Sequence, residues 1–170
     1  FDLEEDAAGR VWAITSGGAA YFNAQRWQQP PTLRQLGATS IGVLKADELG
    51  VWIGGAKGLM HFEFADASVT TASPMTGRPI SAIEIDSLGR LWVAGVEGGL
   101  WRREGDGAWS VVRGLESDVA AHDVPVTAFY PETEPPGAMI AAFKGYGIYR
   151  TRDAGWEAID KNRRGNSNRV

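Results

Sequence analysis

A tryptophan recurs every forty residues in the first part of this 170-residue chain, each time shortly after a glycine. The three copies read "GRVWAITSGGAAYF", "GVWIGGAKGLMHF" and "GRLWVAGVEGGLWR", and their tryptophans are Trp12, Trp52 and Trp92. A second glycine follows each tryptophan at nearly the same step, at Gly18, Gly58 and Gly99. A fixed period of this length indicates that the chain is built from repeated structural units.

A fourth, degenerate copy starts at Gly137. The stretch "GAMIAAFKGYGIYR" has Ile140 in place of the tryptophan and keeps Gly147 in the second turn. It comes late in the chain because "PETEPPG" is inserted before it.

Each unit has the pattern of four short strands. In the third copy, "ISAIEID", "LWVAGV", "LWRRE" and "AWSVV" are separated by turns rich in Gly, Asp and Ser. No window longer than a few residues shows apolar residues at the 3.6-residue period of a helix. A period near forty with four strands per unit is typical of a β-propeller blade. The sequence therefore predicts an all-β chain with about four blades of four antiparallel strands, as one segment over 1–160 with blades near 1–39, 40–79, 80–125 and 126–160.

The repeated glycines and tryptophans have structural roles in this interpretation. A glycine before each tryptophan (Gly9, Gly50, Gly89) would permit the positive φ of a tight hairpin, and Gly147 would have a structural role in the second turn of the fourth unit. Each indole would fill the gap between neighbouring blades, where burying roughly 150–250 Å² contributes a few kcal/mol. Stacking of the units is then what folds the chain.

Composition excludes several functions. The formal net charge of −4 argues against a sequence-independent grip on nucleic acid, and the basic stretch "KNRRGNSNRV" at 161–170 has the composition of a flexible, solvated tail. The chain contains no apolar run long enough to cross a bilayer, so we expect any signal or anchor to lie outside it. The absence of cysteine excludes disulfides and thiolate metal sites.

The third copy also resembles a known repeat. "ISAIEIDSLGRLWVAGVEGGLWR" resembles the repeat of the two-component regulator propellers, which has an apolar strand, an acidic residue, a glycine turn, a strand with a central tryptophan and a Gly-Leu ending. The resemblance implies a periplasmic, ligand-sensing part of a bacterial membrane sensor, ahead of a β-sandwich, a membrane helix and an output module. It implies binding without turnover, and therefore not an enzyme.

A second resemblance is partial. "TRDAGW" is similar to the Asp-box of sialidase-like propellers but lacks two residues before the tryptophan. The resemblance implies that Asp153 stabilises a turn on the rim.

Four blades are fewer than the seven typical of regulator propellers. An open row would leave two apolar blade faces and strand edges bare. We therefore expect partners, which are either the remaining blades of the same propeller or a second copy; closure of the four blades alone is the third possibility. We favour a section of a larger propeller.

Groups with catalytic potential are sparse. His61 and His122 show no metal-ligand spacing, and we predict no metal and no cofactor. His61 alternates with Met60 and Phe62, which favours a packing role. The acidic residues at the ends of first strands lie in the same phase in successive blades, which favours a structural role over glycoside chemistry; they are Glu4, Glu5, Asp6, Glu84 and Asp86.

The loops at one end of the blades are the predicted ligand site. Propellers bind ligands at the axial mouth, in the loops that join second to third strands and fourth strands to the next blade. The candidates are Arg34, Lys57, Arg78, Glu97, His122, Asp123, Lys144 and Tyr146. Charged and aromatic groups would suit a polar small molecule or an oligosaccharide stacked on Tyr146.

Two other functions stay open from the sequence. A glycoside hydrolase or lyase on the same scaffold would need acids and arginines that converge on the axis. A scaffold for a protein partner would use the rim or one face of the propeller.

Overall fold

The computed structural model describes residues 2–15, 17–34, 42–112, 124–152 and 155–159. Within these ranges sixteen strands form four separate four-stranded antiparallel sheets, which confirms the all-β, four-bladed prediction. In each sheet the strands follow one another in chain order, so each blade is a simple meander. The predicted tail and the residues His122, Asp123 and Asp153 lie outside the described residues.

The strands have two to six residues each. The first blade contains β1 (Leu3–Glu5), β2 (Val11–Thr15), β3 (Gly18–Phe22) and β4 (Trp27–Gln28), followed by α1 (Pro31–Arg34). The second blade contains β5 (Val43–Ala46), β6 (Gly50–Gly55), β7 (Gly58–Glu63) and β8 (Val69–Thr71). The third blade contains β9 (Ile80–Ile85), β10 (Leu91–Gly95), β11 (Leu100–Arg103) and β12 (Trp109–Val111). The fourth blade contains β13 (Val126–Pro131), β14 (Met139–Phe143), β15 (Gly147–Arg152) and β16 (Gly155–Ala158).

The one helical turn, α1, was not expected from the sequence. It begins at Pro31, whose fixed φ and missing N–H suit the first position of a helix. Its Leu33 is fully buried in the core between the first two blades. At four residues, the helix is far too short to cross a membrane, and no membrane-spanning helix occurs in the described ranges.

The blades stand side by side in chain order. The first strand of each blade lies beside the first strand of the next, from β1 through β5 and β9 to β13. Successive side chains on a strand point to opposite faces of its sheet. Each blade therefore has a forward face, turned toward the following blade, and a rear face, turned toward the preceding one.

Three buried cores fill the spaces between consecutive blades. Trp12 lies in the core between blades 1 and 2, Trp52 in that between blades 2 and 3, and Trp92 in that between blades 3 and 4. Each indole projects from the forward face of its own blade. Apolar residues of the next blade's rear face close the core, for example Val51, Val93 and Met139.

The outer faces of the two terminal blades carry no such core in the described residues. The rear face of blade 1 presents Leu3, which is 69% exposed, together with Phe22 and Trp27, whose rings contact each other at an interplanar angle of 47°. The forward face of blade 4 presents Tyr130, 65% exposed, and Ile148. Blade 1 thus ends the row with a rear face and blade 4 with a forward face.

The glycines before the tryptophans do not all have the same role. Gly9 and Gly89 adopt φ of +74°, as the hairpin prediction requires. The turn before Trp52 is one residue shorter, and Gly50 lies inside β6 without a positive φ. A Cβ at Gly50 would overlap the carbonyl oxygen of Phe62 and the His61 ring, so this glycine permits a close approach of strands and not a turn.

Candidate functional site

The predicted mouth lies at the end of the sheets that carries the turns between second and third strands. There the connections between blades are hydrogen-bonded to the neighbouring turns: Lys57 O accepts from Gly77 N at 2.9 Å, and Pro125 O accepts from Lys144 N at 2.9 Å. Between blades 2 and 3, Val96 N donates to Pro79 O at 2.8 Å. Backbone hydrogen bonds therefore hold these connections between blades against the neighbouring turns at this end.

The candidate ligand residues in the described ranges all lie at this end and are exposed. They are Arg34 at the end of α1, Lys57, Arg78, Glu97, Lys144 and Tyr146. The Arg78 guanidinium lies 5.6 Å from the Trp101 ring centroid. Between the six described candidates no hydrogen bond or ion pair forms, so the structure places them at one end without joining them into one cluster.

The opposite end of the sheets holds a repeated carboxylate site. Asp6 is buried and accepts hydrogen bonds from Trp12 Nε1 at 2.8 Å and from Arg10 Nε at 2.6 Å. It also accepts from the backbone N–H groups of Ala8 and Arg10 in the turn. Burial by itself would raise the pKa of Asp6, but the bonds from Trp12 and Arg10 outweigh it and lower the pKa.

Blade 3 repeats this arrangement. Asp86 accepts from Trp92 Nε1 at 2.8 Å and from Arg90 Nε at 2.7 Å, and its side chain is fully buried. We call the set of carboxylate, turn and indole the latch of a blade. In a latch, the carboxylate after the first strand accepts a hydrogen bond from the indole of the second strand, so Asp6 and Asp86 have structural roles.

Blade 2 has a variant of the latch. Asp47 accepts from Trp52 Nε1 at 2.7 Å, and the place of the turn arginine is taken by His61 from β7. The His61 ring packs against Trp52 in a tilted arrangement with centroids 4.3 Å apart, and His61 is 5% exposed. Its Nδ1 lies 2.7 Å from Glu63 Oε1 and its Nε2 lies 3.2 Å from Asp47 Oδ2.

Because both ring nitrogens of His61 face carboxylates, only the doubly protonated imidazolium can donate to both. Burial opposes this charge, but Asp47 and Glu63 outweigh burial and raise the pKa of His61. Burial would also raise the pKa of Asp47, yet His61 and the N–H groups of Leu49 and Gly50 lower it to about 2. The sequence pattern predicted packing for His61 and missed this ion pair; the available signal was Asp47, in the phase of Asp6 and Asp86.

A second charged group connects three blades along their first strands. Lys45 Nζ lies 3.1 Å from Glu4 Oε1 of blade 1 and 2.7 Å from Glu84 Oε1 of blade 3. Desolvation would lower the pKa of Lys45, but its bonds and charge interactions with Glu84 and Glu4 raise it. Two of the carboxylates that could have suggested glycoside chemistry, Glu4 and Glu84, are thus paired with a lysine.

A cleft of about 580 Å³ opens between blades 3 and 4, at the end that carries the latches. Blade 3 contributes Arg90, Arg102 and the edge of Trp92. Blade 4 contributes the turn from Pro135 to Ala138 and Trp156. Sequence reasoning missed this cleft, although the inserted "PETEPPG" that forms one wall was visible in the chain.

No model of a known protein family matches the chain, and no curated protein matches it. Solved structures do share its fold. The extracellular domain assigned to a one component system, BT4673 from B. thetaiotaomicron, matches with a TM-score of 0.75 and 12% identity over 98% of this chain and 22% of that chain. The extracellular domain assigned to a hybrid two component system, BT3049 from the same organism, matches with a TM-score of 0.70 and 20% identity over 92% of this chain and 22% of that chain.

An enzyme also shares the fold. A streptogramin B lyase matches with a TM-score of 0.68 and 14% identity over 95% of this chain and 55% of that chain. The chain spans about a fifth of the length of the sensor domains it matches. The chain therefore has the fold of a section of a β-propeller, a fold that it shares with extracellular domains of bacterial sensor systems.

Proposed function

We propose that the chain is a ligand-binding β-propeller segment in the extracytoplasmic part of a bacterial two-component-type membrane sensor, and that it binds without turnover. The observation that carries the proposal is the match of four blades to the extracellular domains of a one component system and of a hybrid two component system, each over more than nine-tenths of the chain. The repeat resemblance, which was stated on the sequence alone, supports the same function.

The ligand in this proposal is a polar small molecule or an oligosaccharide held at the mouth. Tyr146 is 49% exposed and offers an aromatic face, while Lys57 and Lys144 are exposed cations in the corresponding turns of blades 2 and 4. Sugars are commonly held by one aromatic platform and a few hydrogen-bonding side chains, which is the combination available at this end.

The terminal faces support a section of a larger propeller. Three internal interfaces show that a forward face is normally covered by a rear face, and the chain leaves one of each uncovered in its described residues. Contiguous apolar patches of several hundred Å² are rare on soluble monomers. The remaining blades of the same propeller, or a second copy, would cover them.

The lyase match gives an enzyme as the second candidate. It is less well supported because Asp6, Asp47 and Asp86 are bound in latches and Glu4 and Glu84 are paired with Lys45. A lyase or hydrolase would need acids with no structural partner.

Ligand binding at the mouth can be tested by calorimetry with two neutral oligosaccharides, maltotetraose and xylotetraose. We expect at least one of them to bind, and the combined change Lys57→Ala, Lys144→Ala, Tyr146→Ala to weaken that binding about tenfold or more. The matched control is Arg26→Ala with Glu48→Ala, two exposed residues in turns at the opposite end. Unchanged binding in the triple variant would remove the mouth from the proposal.

The mass of the isolated chain in solution tests whether the chain is a section of a larger propeller. We expect the isolated chain to self-associate or to melt without a single cooperative transition, because its terminal faces are uncovered. A monodisperse particle of 18.3 kDa that melts cooperatively would contradict both the section and the second copy.

A further inference from the structure

The cleft between blades 3 and 4 is distinct from the predicted mouth. Its walls come from the turn after β9, the turn after β13 and the outer strands β12 and β16, which lie at the latch end of the sheets or on their outer edge. The six candidate ligand residues of the mouth that the structure describes do not line it. Its volume of about 580 Å³ falls in the range of small-molecule sites.

The two walls are joined by hydrogen bonds between blades. Arg90 Nη2 donates to Gly137 O at 2.8 Å, and Gly137 N donates to Ser87 Oγ at 2.8 Å. Gly137 is buried and has φ of +76°, and a Cβ there would overlap the Arg90 guanidinium. The inserted turn of blade 4 is therefore fixed against the turn of blade 3, and the cleft is formed before any ligand arrives.

Three arginines line the cleft, Arg90, Arg102 and Arg152, while the carboxylates that pair with Arg90 and Arg102 do not. Arg90 bonds Asp86, whose side chain is fully buried behind the wall, and Arg102 bonds Glu104 at 2.6 Å. Each guanidinium has five N–H groups, so these pairs leave donors for a further acceptor. The side chains of Arg90 and Arg102 are partly exposed, at 20% and 29% respectively.

The rest of the lining is apolar or hydroxylic. Trp92 and Trp156 pack edge to face with centroids 6.1 Å apart, and the Arg102 guanidinium lies 5.4 Å from the Trp92 ring. Pro135 and Pro136 form the opposite rim. Thr151 Oγ1 accepts from Met139 N at 2.9 Å, so its own hydroxyl proton can be donated to a ligand.

We propose that this cleft is a binding site for a small oxyanion-bearing ligand, a carboxylate or sulfate carried on a sugar ring or on another body with an apolar face. Guanidinium forks bind such oxyanions with charge-assisted, geometrically specific hydrogen bonds. The proline and tryptophan walls pack against the body of the ligand, whereas a neutral sugar would leave the arginine donors without a charged acceptor. The site does not depend on ligand binding at the mouth.

Calorimetry with four probes tests the proposal: tri-galacturonate, a sulfated disaccharide, inorganic sulfate and neutral maltotriose. We expect the carboxylated or the sulfated sugar to bind and maltotriose not to bind at this site. Arg102→Gln should weaken the anionic sugar about tenfold or more, because it removes a charge-assisted bond. Its matched control is Arg103→Gln, the adjacent arginine of β11, which lies over Trp52 of blade 2 and should change affinity by less than about twofold.

A second variant addresses the structural role of Arg102. Pro136→Glu adds a negative charge to the exposed rim without removing any bond, and it should also weaken the anionic probe about tenfold. The triple variant of the mouth should leave this binding unchanged, which separates failure here from failure of the proposed function. Equal affinity for maltotriose in the triple variant of the mouth, a loss in Arg103→Gln as large as in Arg102→Gln, or no binding of either anionic sugar would overturn the proposal.

Discussion

Blades 3 and 4 have a carboxylate at the same place but use it differently. In blade 3, Asp86 holds the indole of Trp92 and the side chain of Arg90, and both of its oxygens have partners. In blade 4 the corresponding acid is Glu132, the indole is replaced by Ile140, and Arg150 donates to Oε1 at 2.6 Å. Glu132 Oε2 and Arg150 Nε are buried without a hydrogen-bond partner in the described residues.

The comparison teaches that the carboxylate and the tryptophan of the repeat work as one unit. When the indole is lost, the acid keeps its place in the turn but loses a donor, and an arginine of the third strand replaces only part of the bonding. An unsatisfied buried polar atom costs about 1–3 kcal/mol. The latch of blade 3 should therefore be far more sensitive to substitution than its counterpart in blade 4.

Removal of the indole should give the largest effect. Trp92→Ala is expected to lower the free energy of unfolding by about 3–5 kcal/mol, because it empties part of the core between blades 3 and 4 and removes the indole donor of Asp86. Ile140→Ala, on the uncovered forward face of blade 4, should cost about 1 kcal/mol. Urea denaturation of both variants measures the difference, and equal losses would contradict the comparison.

Neutralising the acids should give the next largest effect. Asp86→Asn is expected to cost about 3 kcal/mol, because Arg90 then has no charged partner for its Nε in a buried site. Glu132→Gln should cost about 1 kcal/mol, since its bonding is already incomplete. Urea denaturation measures both losses of unfolding free energy. A loss for Glu132→Gln as large as that for Asp86→Asn would show that the carboxylate of blade 4 is bonded as fully as that of blade 3.

The latch of blade 2 extends the comparison to pH, with a smaller effect. The folded pKa of His61 is raised above the ordinary value of 6.5, so its stabilising charge is fully present below pH 6.5 and is lost as the pH rises through the raised value. Between about pH 6 and 9 we expect a loss on the order of 1 kcal/mol.

Calorimetric melting at a series of pH values checks this expectation. His61→Gln should abolish the decrease above pH 6.5, whereas the same change at the other histidine, His122→Gln, should preserve it. A decrease that persists in His61→Gln would exclude the imidazolium bridge. Below pH 3.8 the stability from Asp47 should fall as the pH approaches its lowered pKa of about 2.

The sequence predicted the features that depend on local pattern. The forty-residue period gave the four blades, and the predicted first strand of the third unit, Ile80–Asp86, ends one residue after the observed Ile80–Ile85. Hairpin turns and strand alternation are encoded within a few neighbouring residues, so such features can be read directly.

Contacts between distant parts of the chain could not be predicted in the same way. His61 meets Asp47 across fourteen positions, and Arg90 meets Gly137 across forty-seven. Because the turn before Trp52 is one residue shorter, the sequence pattern did not identify Asp47 as the counterpart of Asp6 and Asp86. The cleft depends on where the inserted turn of blade 4 lies relative to blade 3, and this relation appears only when the blades are stacked.

Blade 1 ends the row with a rear face and blade 4 with a forward face, and this has an evolutionary consequence. Any duplication of about forty codons would add a unit whose two faces already fit both neighbours. Such a gene can gain or lose whole units at its ends without compensating changes in existing side chains. The number of units can therefore change faster in descent than the residues at their interfaces.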